Sequence, residues 1–508
     1  MATQPWYTIE DIAYQVFEHL HVDIESAQSD APHCRQALAR LARSCRAFAH
    51  PALTVLWRSL PRDRPLTELL CTLEMAEAVD LKDRSASGRV AVLRIQQDIR
   101  AHPQWKKFSQ YAAYVRKISL YPFRPFARSA IWQDLATLMD GAPALPRLTS
   151  VFLIGRFART HSSAPSSLNL GCLALIHSSV REVRLQLSPW AQDQDALQRL
   201  MSRIFTSAPD LESLRSVYSP ESLGHPGLLT HFPHVHHVTI DVELHSGDLR
   251  NLARLPALRH LSIFLSSLSS ERLAFPSVTH LCVRGLWESI SDSLESAHIP
   301  QLRSLSISTE DAQSLTDTSR LLHIIATAYA TLERLSIDIH AYDHIVLLED
   351  VNLPPPEPGP AGRLADVTRP LLSLRALRNL SLRFEGYDLG YTSDDVQAFA
   401  EAWTRLEEIR LDFGVAIEPR AGIESLVHIA RNCPRLRVLG LPGTDVVEDT
   451  LTSVGAATTP HATLCELVIP HVVFRGTDEA RLSAEMWEFI ARQFPNAARL
   501  CARIGTQT

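Results

Sequence analysis

Long apolar runs are missing from this chain. No stretch of about twenty consecutive apolar residues occurs, so no membrane-spanning helix is expected. Closely paired cysteines are missing too. The eight cysteines (Cys34, Cys45, Cys71, Cys172, Cys282, Cys433, Cys465, Cys501) lie far apart, and no two form Cys-x-x-Cys. That excludes a zinc knuckle and a thioredoxin-type motif, and it leaves buried free thiols as the expectation for most of them. An excess of one charge is lacking: 50 Lys+Arg face 56 Asp+Glu, a formal net charge of −6. A basic, phosphate-neutralising footprint over the whole protein is therefore excluded, and nucleic acid is not an expected partner. Met1 to Glu10 show no basic-then-apolar leader pattern, so a reducing compartment, cytoplasmic and/or nuclear, is expected.

Catalytic signatures are equally scarce. The chain has no Gly-Lys pair and so no phosphate loop, no G-x-G-x-x-G after a strand, no H-E-x-x-H and no G-x-S-x-G elbow. Neither an enzyme nor a cofactor is expected. His231, His234, His236 and His237 invite a metal reading, but only Asp241 and Glu243 stand nearby to complete a ligand shell, which favours a solvated strand edge. Asn379-Leu380-Ser381 matches a glycosylation sequon, yet it falls on a predicted repeat strand in a chain without a leader, where no glycan is expected.

What the sequence does contain is a recurring phrase, apolar-x-x-apolar-x-apolar, often with a proline two residues before it. It reads Val115-Ile118-Leu120, Leu148-Val151-Leu153, Val180-Val183-Leu185, Val235-Val238-Ile240, Leu258-Leu261-Ile263 and Val278-Leu281-Val283. It continues as Leu302-Leu305-Ile307, Leu332-Leu335-Ile337, Leu377-Leu380-Leu382, Leu406-Ile409-Leu411, Leu436-Leu439-Leu441 and Leu464-Leu467-Ile469. Leu211-Leu214-Ser216 and Ala497-Leu500-Ala502 are weaker copies. Successive copies are mostly about 20 to 33 residues apart, the range of leucine-rich repeats or slightly above it.

The last two apolar positions are two apart, so both leave the same face of a short strand. One repeat cannot bury them, but stacked neighbours share a continuous core. Helices are predicted between phrases over 191–207, 311–331, 393–404, 422–432 and 481–494. The expected fold class is α/β: an irregular leucine-rich-repeat solenoid over 114–508, with a parallel sheet on its concave face and helices on its convex face. The usual Asn at the end of each phrase is absent. The longest gap, Leu332 to Leu377, holds a proline-rich stretch at 353–362 that reads as a surface loop between repeats.

Residues before about 113 lack the phrase. Thr8 can cap a helix in which Ile9, Ile12, Val16, Phe17 and Leu20 fall on one face. A polar linker from His21 to about His33 follows. A second helix carries Leu38, Leu41, Ala42, Cys45 and Phe48; Pro51 marks a break; Leu53, Leu56, Trp57 and Leu60 form a third apolar stripe. Three short helices in about sixty residues make a marginal core by themselves.

These residues resemble an F-box. Ile9 to Leu20 look like the family's opening helix, Ser44-Cys45-Arg46-Ala47-Phe48 like its V-C-R-x-W segment, and Leu53 to Leu60 like its closing L-W-R-x-L. Gln104-Trp105-Lys106-Lys107-Phe108 and Tyr111 to Ile118 are similar to the junction that leads into the first repeat in many fungal F-box proteins with leucine-rich repeats. The departures are Thr8-Ile9 where the family has Leu-Pro, and the long polar linker. The resemblance implies an F-box-like helical domain over 1–62, a helical neck over 63–113, and then the solenoid. It implies a substrate-recognition adaptor of a cullin–RING (SCF-type) ubiquitin ligase, with no chemistry of its own. The F-box would hold a Skp-type adaptor, and through it the cullin, by Ile9, Ile12, Val16, Phe17, Leu20, Cys45, Phe48, Leu56 and Trp57.

A target protein would bind the exposed sheet positions of the repeats. The position between the last two apolar residues gives mostly small residues, with Arg184 and Arg410 among them; the two positions before give Arg181, His236, Arg259, His260, Arg303, Arg334 and Arg378. Two alternatives remain: a leucine-rich scaffold without a ligase role, which Thr8-Ile9 favours, and a regulator of an enzyme such as a GTPase-activating repeat protein.

Overall fold

A computed structural model describes residues 9–21, 31–81, 90–95, 99–121, 130–155, 170–187, 194–217, 232–244, 246–265, 272–309, 314–339, 360–414, 418–448, 450, 460–476, 478–500 and 502–506. The chain divides into two units: Met1–Val242 with Arg254–Leu258, and Glu243–Ala253 with Arg259–Thr508.

The first unit opens on three helices, α1 (Ile9–Glu18), α2 (Ala31–Ser44) and α3 (Arg46–Arg58). Ala13 and Phe17 of α1, Leu38 of α2, and Ala52 and Val55 of α3 close a small core. The break expected at Pro51 lies earlier. Cys45 is extended (φ −155, ψ 159) and separates α2 from α3, while Pro51 is accommodated inside α3. Its missing N–H forfeits the backbone bond to Ala47.

After α3 the chain enters β1 (Ser59–Leu60), which pairs in parallel with the first repeat strand, β4 (Lys117–Leu120), so that Leu60 stands beside Ile118. The helices are thus joined directly to the repeat sheet. The stretch 63–113 is not helical throughout. It contains helices Arg64–Thr72 and Trp105–Ala112, with β2 (Ala76–Leu81) and β3 (Val90–Ile95) between them as an antiparallel hairpin. Val79, Val90, Val92 and Ile95 give that segment its preference for extended backbone.

The repeats then follow. In the first unit β4 (Lys117–Leu120), β5 (Ser150–Gly155), β6 (Glu182–Leu187), β7 (Ser213–Val217) and β8 (His237–Glu243) continue a parallel ladder from β1. In the second unit a parallel ladder runs through β9 (His260–Leu265), β10 (His280–Gly285), β11 (Ser304–Thr309) and β12 (Arg334–Ile339). It continues through β14 (Asn379–Gly390), β15 (Glu408–Gly414), β16 (Val438–Gly440), β18 (Glu466–Arg475) and β19 (Ala502–Thr506), with β13 (Ala361–Arg363) and β17 (Thr444–Val447) on the extended ends of β14 and β18. Residues 353–359 of the proline-rich stretch lie outside the described residues; Ala361 and Gly362 belong to β13.

The phrase of the sequence is the register of the sheet. Ile118 pairs with Val151 and Leu120 with Leu153; Leu305 pairs with Leu335 and Ile307 with Ile337; Leu380 pairs with Ile409 and Leu382 with Leu411. A one-residue slip would turn every such side chain out to water, so the apolar pattern fixes the pairing. Leu305, Ile307, Leu335, Ile337, Leu380 and Leu382 are all at most 1% exposed. The last copy is corrected. Ala502 pairs with Leu467 and Ile504 with Ile469, so the phrase lies two residues later than Leu500-Ala502, and Ala497 and Leu500 belong to the helix Pro495–Leu500.

Most repeats also bury a residue three positions before the phrase. Leu145, Ala208, Phe232, Leu255, Phe275, Ile299, Tyr329, Leu374, Trp403 and Cys433 are all buried, and each carbonyl accepts from the backbone N–H of the first phrase residue. The turn is further bonded from repeat to repeat. The carbonyls of Arg116, Thr149, Arg259, Arg303, Glu333 and Arg378 each accept two successive N–H groups of the next repeat.

Polar side chains at the turn take the place of the absent Asn. Ser179, Thr331 and Thr463 donate to the carbonyls of Leu148, Leu302 and Leu436 at 2.7, 3.1 and 2.9 Å. Tyr329 donates to Leu294 O at 3.1 Å and Trp403 Nε1 to Leu371 O at 3.2 Å. Such bonds satisfy carbonyls that would otherwise be buried unpaired. Helices fill the connections, among them Gln194–Ser207, Leu315–Ala328, Ser393–Ala402, Ser425–Asn432 and Glu479–Gln493, close to the five expected from periodicity.

Candidate functional site

Two surfaces carry the residues that the sequence nominates. The first is the outer side of α1. Ile12 and Val16, one helical turn apart, are 53% and 55% exposed, while Ala13 and Phe17 on the adjoining stripe are 6% and 5% exposed. The nominated residues therefore separate. Phe17 is a core residue whose ring meets Phe48 edge-on at 5.6 Å, with Leu20, Phe48 and Leu56 packed against the same core. Trp57 lies against Tyr111 of the helix Trp105–Ala112 at 5.0 Å. Cys45 is exposed at the α2–α3 junction, and the side chain of Ile9 lies outside the described residues. Among the described side chains of this helix, Ile12 and Val16 are the large apolar ones left exposed.

Helix α1 is held in place by polar contacts as well. Arg58 at the end of α3 reaches Glu18 at 2.5 Å, and Arg35 of α2 donates to Ser59 O at 3.0 Å. Burial lowers the Arg35 pKa, and the hydrogen bond to a carbonyl is what offsets the loss of water there. Because Ser59 belongs to β1, the orientation of the helices is tied to the first strand of the sheet.

The second surface is the outward face of the strands. Arg181, Arg184 and His236 belong to the first unit. Arg181 pairs with Asp210 at 3.2 Å. Arg184 is only 15% exposed and grips Glu182 at 2.7 Å. Burial works to raise the Glu182 carboxyl, but the hydrogen bond and charge of Arg184 outweigh it and hold the group below its usual range. His236 is half-buried; its neighbour His237 contacts Thr239 Oγ1 at 3.2 Å. Among the described residues no group of three or more His, Cys, Asp or Glu is placed to hold a metal ion.

Arg259, His260, Arg303, Arg334, Arg378 and Arg410 belong to the second unit, and most of these arginines are engaged within the sheet. Arg303 reaches Glu333 at 3.5 Å; Arg378 sits between Glu333 at 3.7 Å and Glu407 at 3.3 Å. Arg410 lies across the strand next to it. It bonds Glu408 at 2.6 Å and reaches Glu466, two strands away, at 3.2 Å, with its stem against Gly440. Arg383 faces Asp412 at 3.5 Å. These pairs are exposed and their energies are small; their effect is to neutralise the face from β14 onward. Arg259 and Arg334 differ: among the described residues neither has an ion-pair partner.

The acidic partners Glu333, Glu407, Glu408 and Glu466 were not nominated. Their signal was present, because they occupy the same phrase positions as the arginines, but which arginine meets which carboxylate depends on strands that are 29 to 56 residues apart in sequence.

No family model matches the chain, and no curated protein matches it. Among solved structures it is similar to a chain in the crystal structure of the Rad7 and Elc1 complex in yeast, with 16% identity over 90% of this chain and 92% of that chain and a TM-score of 0.34.

Proposed function

We propose that this chain is a substrate-recognition subunit of an SCF-type ubiquitin ligase, acting in the cytoplasm and/or nucleus. Its N-terminal helices would bind a Skp-type adaptor, and through it a cullin, while its repeats hold a target protein. The chain would transfer no ubiquitin itself, since that chemistry belongs to partner subunits. The observation that carries this reading is the pair Ile12 and Val16, exposed on a helix whose other apolar stripe is already used in a closed core. Exposed apolar area of this kind is stabilised by a partner. The resemblance of the surrounding residues to the F-box pattern supports a Skp-type adaptor as that partner.

The test is co-expression of the full chain with a Skp-type adaptor and a cullin, followed by affinity capture and size-exclusion chromatography. One stoichiometric complex containing all three is the expected result. A folded chain that elutes alone removes the ligase role and leaves a leucine-rich scaffold, the reading that Thr8-Ile9 in place of Leu-Pro favours.

A further inference from the structure

Strands β9 to β12 set their outward side chains in register. The first row across them is His260, His280, Ser304 and Arg334; the second is Ser262, Cys282, Ser306 and Ser336. Three steps between strands at about 4.8 Å each make these rows about 14 Å long. The His260 and His280 rings stack at 4.2 Å with 22° between their planes.

Charge on this part of the face is uneven. Strands β9 and β10 contain no carboxylate. Glu333, at the edge of β12, is shared by Arg303 and Arg378. Arg259 and Arg334 are exposed, and among the described residues neither has an ion-pair partner. Burial, and then the charges of Arg334 and Arg303, push the His280 imidazole below its usual pKa, with Glu333 opposing; the arginine fields therefore converge on this row.

We propose that this part of the sheet binds an acidic, extended segment of a protein, with its carboxylates against Arg259 and Arg334 and its backbone over the short side chains of the second row. Charge complementarity is the ground for it. From β14 onward the arginines of the same face are matched by Glu407, Glu408 and Glu466, whereas Arg259 and Arg334 have no ion-pair partner among the described residues. A row about 14 Å long accommodates about four or five extended residues at ~3.3 Å each. Long side chains in the second row would hold a backbone away, and the residues there are Ser and Cys. The inference deepens the receptor reading, on which it rests, by naming the chemistry of the target segment.

The experiment uses the full chain and fluorescein-labelled peptides of about eight residues alternating Glu and Ala. Anisotropy is read against the Gln counterpart and a phosphoserine counterpart. The Glu peptide should bind at least about tenfold more tightly than the Gln peptide, and binding should weaken with added salt. Arg259→Glu with Arg334→Glu should abolish the preference, and so should the milder Arg259→Gln with Arg334→Gln. Arg320→Glu, on the helix Leu315–Ala328 and paired with Glu295, should leave it unchanged.

Equal affinity for the Glu and Gln peptides, or a preference that survives in folded double variants, overturns the proposal. A preference of tenfold or more for the phosphoserine peptide overturns the carboxylate segment as the occupant in favour of a phosphorylated one. Adaptor capture is measured on the same double variants. Retained capture with lost peptide binding separates the two readings, and lost capture in the unmodified chain with intact peptide binding removes the receptor role while this surface stands.

Discussion

The repeats and the N-terminal helices use apolar residues differently. In the repeats phrase residues such as Leu305, Leu335 and Leu439 have a register partner on each side and are buried to within a few per cent, at 1%, 1% and 0%. In the helices one stripe of α1 is buried and the next is left outside, with Ile12 at 53% and Val16 at 55%. Stacking allows a repeat to complete its neighbour, so the solenoid satisfies itself. Among the described residues the three-helix module has no such neighbour over Ile12 and Val16, and what it leaves open is the surface proposed to meet another protein. The difference separates residues that build the molecule from residues that present it.

Breaking the self-sufficient part has the largest expected effect. Trp403 is fully buried, stacks on Phe399 at 5.0 Å and donates to the carbonyl of Leu371. Trp403→Ala should cost about 3–5 kcal/mol, read as a loss of denaturant midpoint. Phe17→Ala removes the centre of the small helical core and should cost about 3 kcal/mol. Its effect should show as faster hydrogen exchange across α1 to α3, with the repeats protected as before.

Next come the histidines that fasten one repeat to another. His461 accepts from the Leu464 N–H at 3.2 Å through Nδ1, and its Nε2 lies 2.9 Å from the carbonyl of Cys433. His177 has the same arrangement, with Ser179 N at 3.3 Å and the carbonyl of Leu145 at 2.8 Å. In both, an accepting Nδ1 leaves Nε2 as the donor, the neutral tautomer. His461→Leu strands the Leu464 N–H and leaves the Cys433 carbonyl with only its bond from Leu436, and should cost about 1–3 kcal/mol.

Burial holds the His177 pKa below its ordinary value, while the bond to Leu145 opposes that. The unfolded chain therefore takes up a proton more readily than the folded one, and the contribution of His177 is present at neutral pH. It is lost as pH falls below about 6.5, the unperturbed imidazole value, and through the lower folded value. Thermal melts of the wild type and of His177→Gln at pH 7.5 and pH 5.5 should differ in that sense, with the wild type losing more on acidification.

Smaller effects sharpen the comparison. Arg410→Ala breaks its bonds to Glu408 and Glu466, but the guanidinium is 43% exposed and the loss should stay below about 1 kcal/mol. Ile12→Asp with Val16→Asp should change stability by no more than about 0.5 kcal/mol, because both side chains already stand in water. Its effect belongs to binding alone.

The sheet was legible because its phrase has a period of two and must be buried, which fixes strand, face and register together. Three things escaped that logic. The residue buried three positions before most phrases is sometimes Tyr, Trp, Cys or Ala, and no single residue type marks it. The hairpin Ala76–Leu81 with Val90–Ile95 is set by local preference for extended chain within a stretch otherwise read as helical. On α1 the apolar residues form two adjacent stripes: Ile12 and Val16 are turned by about 100° from Ala13 and Phe17, and periodicity alone does not say which pair faces the core. The pairing of Arg410 with Glu466 was hidden for a further reason, since exposed charges select partners through the fold and not through any pattern along the chain.

The central claim is that the exposed stripe of α1 is a docking surface for a Skp-type adaptor. The most direct measurement is the affinity of purified adaptor for immobilised full-length chain, wild type against Ile12→Asp with Val16→Asp, with the melting temperature of each recorded alongside. The account predicts saturable one-to-one binding by the wild type and loss of at least about a hundredfold in the variant, at an unchanged melting temperature. Equal adaptor binding by both proteins, or none by a folded wild type, would contradict it.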